Sequence, residues 1–320
     1  MRIGKLDNDA LNELILKKFK HIRPEVVCFP RVGVDCAAVD MGGRLAVLST
    51  DPITSATGNL GTLTVHVSCN DAAAAGAEPV GLLVTLLIPP SATEEEVARV
   101  ADELSIAAEA ANVEIIGGHT EVTEAVNRLV TCATVLAKAG PRGVIEPGGM
   151  QEGDDIVLTK WAGLEGTAVI AEDYPERLGS LSVQELADAR GFIRMVSVVK
   201  EGLYAASHGA TAMHDVTEGG VLGAAWEMAE ASGKGITINR DAIPVHPVTR
   251  EICACVGVDP LRLLSSGAML IACADGEAMV KGLLAQGVNA SVIGKATGQA
   301  ARFADGALIL PPEADELYKL

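Results

Sequence analysis

Apolar positions recur along the chain with two different periods, and the alternation between them lays out helices and strands in turn. Asp7-Asn8-Asp9 offers a helix cap, and Leu11, Leu14, Ile15, Phe19 and Ile22 follow at helical spacing. Arg44 to Ser49 reads as a strand through its run Leu-Ala-Val-Leu. Gly58 to Gly76 is rich in small residues and predicts a closely packed helix. Val80 to Ile88 is a continuous apolar run of strand length, stopped by Pro89-Pro90. Ser91-Ala-Thr-Glu94 has the capping-box pattern and opens a helix through Asn112, with Val97, Val100, Leu104, Ala107, Ala108 and Ala111 as its apolar stripe. Glu114 to Gly117 and Arg128 to Ala139 read as the next strands.

Residues 140–154 then become rich in Gly and Pro, which predicts a boundary between a first domain over 1–148 and a second over 149–320. Beyond it, strands are expected at Asp155 to Thr159, Thr211 to Met213, Ile236 to Ile238, Ala268 to Cys273 and Ser291 to Lys295. Helices are expected over 164–174, 182–207 and 219–233, then Val248 to Val256 and Gly276 to Gln286. Strands and helices alternate in both halves, so the class is mixed α/β with two domains.

Composition narrows the functions open to such a fold. Aromatic residues make up only 3% of the 320, so the core has to be built from Ala, Val, Leu and Ile. The formal net charge is −17, and no run of Lys or Arg is longer than Lys17-Lys18, which argues against nucleic acid as a partner. An anionic substrate would need a metal ion or backbone amides to bind so acidic a chain. The seven cysteines include no Cys-x-x-Cys and read as reduced thiols of a cytoplasmic protein. No apolar stretch approaches the roughly 20 residues that span a bilayer, so no membrane association is expected.

Neither a Gly-x-x-x-x-Gly-Lys-Ser/Thr loop nor a Gly-x-Gly-x-x-Gly fingerprint nor a Gly-x-Ser-x-Gly elbow is present. What the sequence does hold is a set of acids beside strands or in turns, among small residues: Asp35, Asp51, Asn70-Asp71, Gly118-His119-Thr120-Glu121 and Asp215. Magnesium takes oxygen ligands, commonly one or two carboxylates with phosphates and waters, and small neighbours let phosphates come close to the backbone. Each residue also has a plainer reading. Asp35 and Asp51 fit turns, and Asp71 fits the opening of a helix at Ala72. His119 fits a hydrogen-bonded loop, Glu121 a solvated face, and Thr217 the cap of a helix beginning at Glu218.

Taken in order, these segments resemble the AIR synthase superfamily, most closely its HypE-like hydrogenase-maturation branch. The matching motifs are Gly33-Val-Asp35-Cys-Ala-Ala38, Ser49-Thr-Asp51, Val65-His-Val-Ser-Cys-Asn70-Asp71-Ala-Ala-Ala-Ala-Gly76-Ala-Glu-Pro79, Gly117-Gly-His119-Thr120 and Asp215-Val-Thr-Glu-Gly-Gly-Val221. The resemblance runs from about residue 3 to about residue 300. It implies a PurM-like N-terminal domain whose sheet pairs with that of a second copy in a homodimer, and an AIR synthase-like C-terminal α/β domain. ATP and Mg2+ would lie in the cleft between them. Asp35, Asp51, Asp71 and Asp215 would then hold metal. Lys5, Asn70, Gly118, His119, Thr120 and Glu121 would line the nucleotide site, and Asp215 or His119 would accept a proton. Lys160 is a second lysine that could reach phosphate.

The chain also departs from its nearest branch. HypE proteins end in a carrier cysteine, whereas this sequence closes Asp315-Glu-Leu-Tyr-Lys-Leu320, and its last cysteine, Cys273, sits in a run that reads as a buried strand. The expectation is therefore an ATP-dependent enzyme that activates an amide or carboxyl oxygen or phosphorylates a small acceptor, in the setting of hydrogenase maturation and with its proteins as partners. A small-molecule kinase resembling thiamine-monophosphate kinase, a non-catalytic ATP-responsive assembly factor and an inert dimer are the alternatives.

Overall fold

The computed structural model describes residues 6, 8–54, 58–299, 301–312 and 315–320; Lys5, expected near phosphate, lies outside them. The first helix, α1 (Asn8–Leu14), buries none of its residues. It ends well short of the expected Ile22, and Phe19 and Ile22 are exposed beyond it. A helix this short with no partner for its apolar side has little to sustain it.

A six-stranded sheet follows, made of β1 (Val26–Cys28), β2 (Ala37–Asp40), β3 (Leu45–Ile53), β4 (Ala77–Ile88), β5 (Glu114–Val122) and β6 (Val130–Ala139). Their order in space is β1-β2-β3-β6-β4-β5. Every neighbouring pair is antiparallel except β4 and β5, which the helix α3 (Glu94–Ala111) joins as a parallel crossover. The capping box of α3 is built on Thr93 and Glu96 rather than on Ser91. A turn closed by the Ala92 amide on the Pro89 carbonyl keeps Ser91 outside the helix.

One face of this sheet is covered by α3 and by α2 (Leu60–Ala74). Almost every residue of α2 is buried, because it also packs against α6 (Val199–Ser207) from the second half of the chain. Its small side chains on all sides suit that double role. Among the described residues nothing covers the other face of the sheet. Leu83 is 47% exposed and Leu136 is 37% exposed there, beside Thr50, Cys132 and Thr134.

The second sheet contains β7 (Asp155–Thr159), β8 (Ala210–Asp215), β9 (Gly235–Ile238), β10 (Met269–Cys273), β11 (Ala290–Thr297), β12 (Arg302–Ala304) and β13 (Ala307–Leu308), in the order β13-β12-β9-β11-β7-β10-β8. Around it lie α4 (Leu164–Asp173), α5 (Val183–Gly191), α6, α7 (Gly220–Ser232), α8 (Pro247–Val256) and α9 (Gly276–Ala285). The long helix expected over 182–207 is in fact α5, a 3-10 turn at Phe192–Met195, and α6. The break falls at residues 196–198, where a side chain from α2 takes up the backbone groups, as described below. Cys273 is buried in β10, as its apolar surroundings indicated.

Candidate functional site

Four acids distant in sequence meet where the two sheets approach each other. Asp35 precedes β2, Asp51 lies near the end of β3, Asp71 sits in the last turn of α2, and Asp215 ends β8. All four border one cleft that opens to solvent. Asp71 and Asp215 are buried, while Asp35 stays open to solvent. Asp71 is further held by the hydroxyl of Ser49, whose oxygen also lies 2.9 Å from the Asp35 carbonyl oxygen.

Burial and the charges of Asp51, Asp215 and Asp35 push the Asp71 carboxyl well above the usual carboxylate range, and a hydrogen bond to Asp51 adds to the shift. Such crowding stores repulsion that a cation would relieve. No lysine or arginine is among the described residues lining the cleft. The cleft continues to Glu165 at the start of α4, with Ser266, Thr217 and Glu218 nearby. Burial raises the Glu165 carboxyl to about 7 against a lowering hydrogen bond from Ser266, and the charges of Asp315 and Glu218 raise it further.

The turn after β8 spends its glycine amides inside the fold. α7 starts after Gly219, whose φ is +83°, and not at a cap on Thr217. The Gly219 amide is bound by Asp315 at 2.9 Å, and the Gly220 amide by the Thr217 carbonyl. A Cβ on Gly220 would stand 2.6 Å from the Leu261 carbonyl oxygen, at a φ of +61°. These glycines are therefore needed to bring α7 close to its neighbours. Gly219 and Gly220 therefore have no spare donors for negative charge in the cleft.

Behind the aspartates stands His214, the residue before Asp215. Its ring is 6% exposed. Nε2 lies 2.9 Å from Oε2 of Glu227 on α7, and Nδ1 faces Asp35 at 3.8 Å and Asp215 at 3.9 Å. Burial disfavours its charge, but the hydrogen bond and charge of Glu227, with Asp35 and Asp215, outweigh that and hold its pKa at about 9. The donor atoms of Asp35, His214 and Asp215 all lie within 4.8 Å of one another, so this donor set fits a metal ion. His214 and Glu227 have no short motif in common, being 13 residues apart, and only the packing of α7 on β8 brings them together.

Several expected site residues lie elsewhere or serve other ends. Asn70 does not line the cleft: its amide donates to the Val196 carbonyl at 2.7 Å and accepts from the Val198 amide at 2.8 Å. Lys160 is half-buried, its side chain 13% exposed, with φ at +53°. Its ammonium is taken by Glu201 at 2.7 Å and by the carbonyls of Met195, Ser197 and Gly267, so it does not reach phosphate.

Gly118, His119, Thr120 and Glu121 are not loop residues but part of β5. The register runs Pro52–Cys132 and Cys132–Thr85, then Thr85–His119, so His119 is three strand spacings, roughly 14 Å, from β3. Within one chain His119 therefore cannot join Asp51, and it pairs instead with Glu121 at 3.3 Å. Gly118 is required by strand pairing, since a Cβ there would sit 1.8 Å from the Val84 carbonyl oxygen.

Comparison with known proteins places these features in a family. Residues 33–139 match the N-terminal domain of AIR synthase related protein, and residues 151–305 match its C-terminal domain. A putative hydrogenase expression/formation protein of Methanocaldococcus jannaschii is 30% identical over 307 residues, covering 92% of this chain and 88% of that protein. The carbamoyl dehydratase HypE of Cupriavidus necator is 29% identical over 262 residues, covering 78% of this chain and 71% of its own. The crystal structure of the hydrogenase maturation protein HypE in complex with ATP superposes with a TM-score of 0.73 at 21% identity, covering 98% of this chain and 97% of that one. With both of its domains matched, and its fold shared, the chain belongs to the AIR synthase related protein family.

Proposed function

We propose that this chain is an ATP- and Mg2+-dependent enzyme that activates an amide or carboxyl oxygen by phosphoryl transfer, in the setting of hydrogenase maturation. The observation that carries the reading is the convergence of Asp35, Asp51, Asp71 and Asp215, from four separate segments, on one cleft. The dehydratase name of one relative and the ATP bound in a fold neighbour support it.

Asp35, Asp51, Asp71 and Asp215 would hold the cation. Bound Mg2+ would supply neutralisation of triphosphate charge. The protein's own part is to fix those carboxylates: Ser49 pins Asp71, and the end of β8 sets Asp215. The buried Glu165 and Ser266 would line the far side of the cleft, where an acceptor would sit.

The bare face and the β5 edge of the first sheet form the surface through which two copies would pair. That pairing would carry His119, Thr120 and Glu121 to the partner copy, and they would act, if at all, from there.

Calorimetry with ATP and Mg2+, followed by analysis of the products formed with a metabolite extract, tests the reading. ATP turnover that disappears in Asp51→Asn and Asp71→Asn is expected. Equal turnover in both variants refutes it, and tight ATP binding without turnover points to an assembly factor instead. A phosphorylated metabolite among the products would mark a kinase.

A further inference from the structure

We infer that a divalent cation held at Asp35 and Asp215 takes a nitrogen ligand from His214, so that this centre favours a transition-metal ion such as Mn2+ or Co2+ over Mg2+. The inference rests on the cation-binding reading above and adds to it one ligand and a class of metal.

The ring of His214 is buried at the end of β8, and its two nitrogens have different surroundings. Nε2 is 2.9 Å from the Glu227 carboxylate, so it bears the hydrogen and donates it. Nδ1, on the other side of the ring, is buried without a hydrogen-bond partner; the second hydrogen that the cation-free ring carries there is released when a metal takes its place. It faces Asp35 Oδ2 at 3.8 Å and Asp215 Oδ1 at 3.9 Å. These separations are too long for hydrogen bonds. They suit donors that share an ion: two ligands each about 2.1 Å from one metal lie about 3 to 4 Å apart.

The three donor atoms fall within 4.8 Å of one another. The arrangement Glu227–His214–cation is the one in which a carboxylate orients a metal-binding imidazole and strengthens it as a ligand. Carboxylates alone suit Mg2+, whereas adding an imidazole shifts preference along the series from Mn2+ to Co2+ and beyond.

The test titrates the intact protein with MgCl2, MnCl2 and CoCl2 by calorimetry, without nucleotide, and records the proton NMR spectrum of the Co2+ form. Expected are tighter binding of Co2+ than of Mg2+, and a hyperfine-shifted exchangeable imidazole proton, the Nε2 hydrogen, that is lost in His214→Gln. Should that variant fold poorly, Glu227→Gln keeps an acceptor for Nε2 and still removes the charge. It is expected to weaken Co2+ binding by about 10- to 100-fold and Mg2+ binding by much less.

A Co2+ form without a shifted imidazole proton, absence of Co2+ binding, or equal loss for both ions in Glu227→Gln overturns the inference and leaves His214 as a counter-ion to the aspartates. Binding of ATP with Mg2+, measured in parallel, separates the two readings. Normal ATP binding with an all-oxygen cobalt centre sinks only the nitrogen ligand; a shifted imidazole proton without ATP binding sinks only the nucleotide.

Discussion

Asn70, in the last turns of α2, accepts a 2.8 Å hydrogen bond from the amide of Val198, a residue 128 positions later in the chain. The same side chain donates to the carbonyl of Val196 at 2.7 Å, so one buried amide satisfies both backbone groups at the break between α5 and α6. Asn70→Ala strands those two groups, each worth about 1–3 kcal/mol when left unpaired. A loss of roughly 2–4 kcal/mol in urea unfolding is expected; a loss under about 1 kcal/mol would show that water or a shifted backbone replaces the amide.

Lys160 poses the opposite case, a charge held for structure and not for phosphate. Burial lowers its pKa, with Glu201 opposing. Lys160→Met would leave Glu201, 2% exposed, without its partner. Breaking a buried pair in this way costs about 3–5 kcal/mol. The unfolding midpoint should fall, while affinity for ATP, measured on the folded fraction, stays unchanged. A selective loss of ATP affinity would return Lys160 to the site.

How far the chain could be read without its fold depended on the range of the forces at work. The strands β4, β7 and β10 were legible as apolar runs and β6 through its alternation, and both patterns leave a local trace. β1 and β2 were not, being three or four residues long and half-buried. The break at 196–198 is imposed by Asn70 from another part of the chain, so no local pattern announces it. The small residues around the aspartates only drew attention to them; the ordered family motifs were what grouped them, and the fold brings all four to one cleft. At Gly118 the local pattern suggested room for phosphate, whereas in the fold that glycine lets β5 lie against Val84, and the register then carries His119 away from β3. His214 and Glu165 escaped notice because only their burial and neighbours make them unusual.

Glu165 makes the stability of the cation-free protein depend on pH. Burial first, and then Asp315 and Glu218, hold its carboxyl at about 7 rather than 4.5, despite the hydrogen bond from Ser266. The folded state therefore binds more protons than the unfolded state between pH 4.5 and 7. Stability is greatest below that window and declines as pH rises through it. Glu165→Gln removes this decline, so its stability relative to the parent should improve from pH 5 to pH 8, by at most roughly 3 kcal/mol. Urea unfolding of both proteins with chelator present checks it, and a constant difference at the two pH values would refute the assignment.

The bare face of the first sheet supplies a fourth prediction. Leu83 and Leu136 lie on neighbouring strands of that face, β4 and β6, and both are exposed in the single chain. Leu83→Lys would set a charge in the middle of the surface by which two copies are proposed to pair. Sedimentation should give a dimer for the parent and a monomer for the variant, with unfolding of the isolated chain little changed. A parent that sediments as a monomer would remove this surface from the proposal.

Asp35, Asp51 and Asp71 belong to the part of the chain that builds the first sheet, and Asp215 ends a strand of the second. A ligand gripped by all four is thus also a rivet across the seam between the sheets. Part of its binding energy would tighten that seam, so the join would firm up or slacken with the supply of free ligand. Resistance to proteolysis along the seam should then follow ligand concentration before any chemistry takes place.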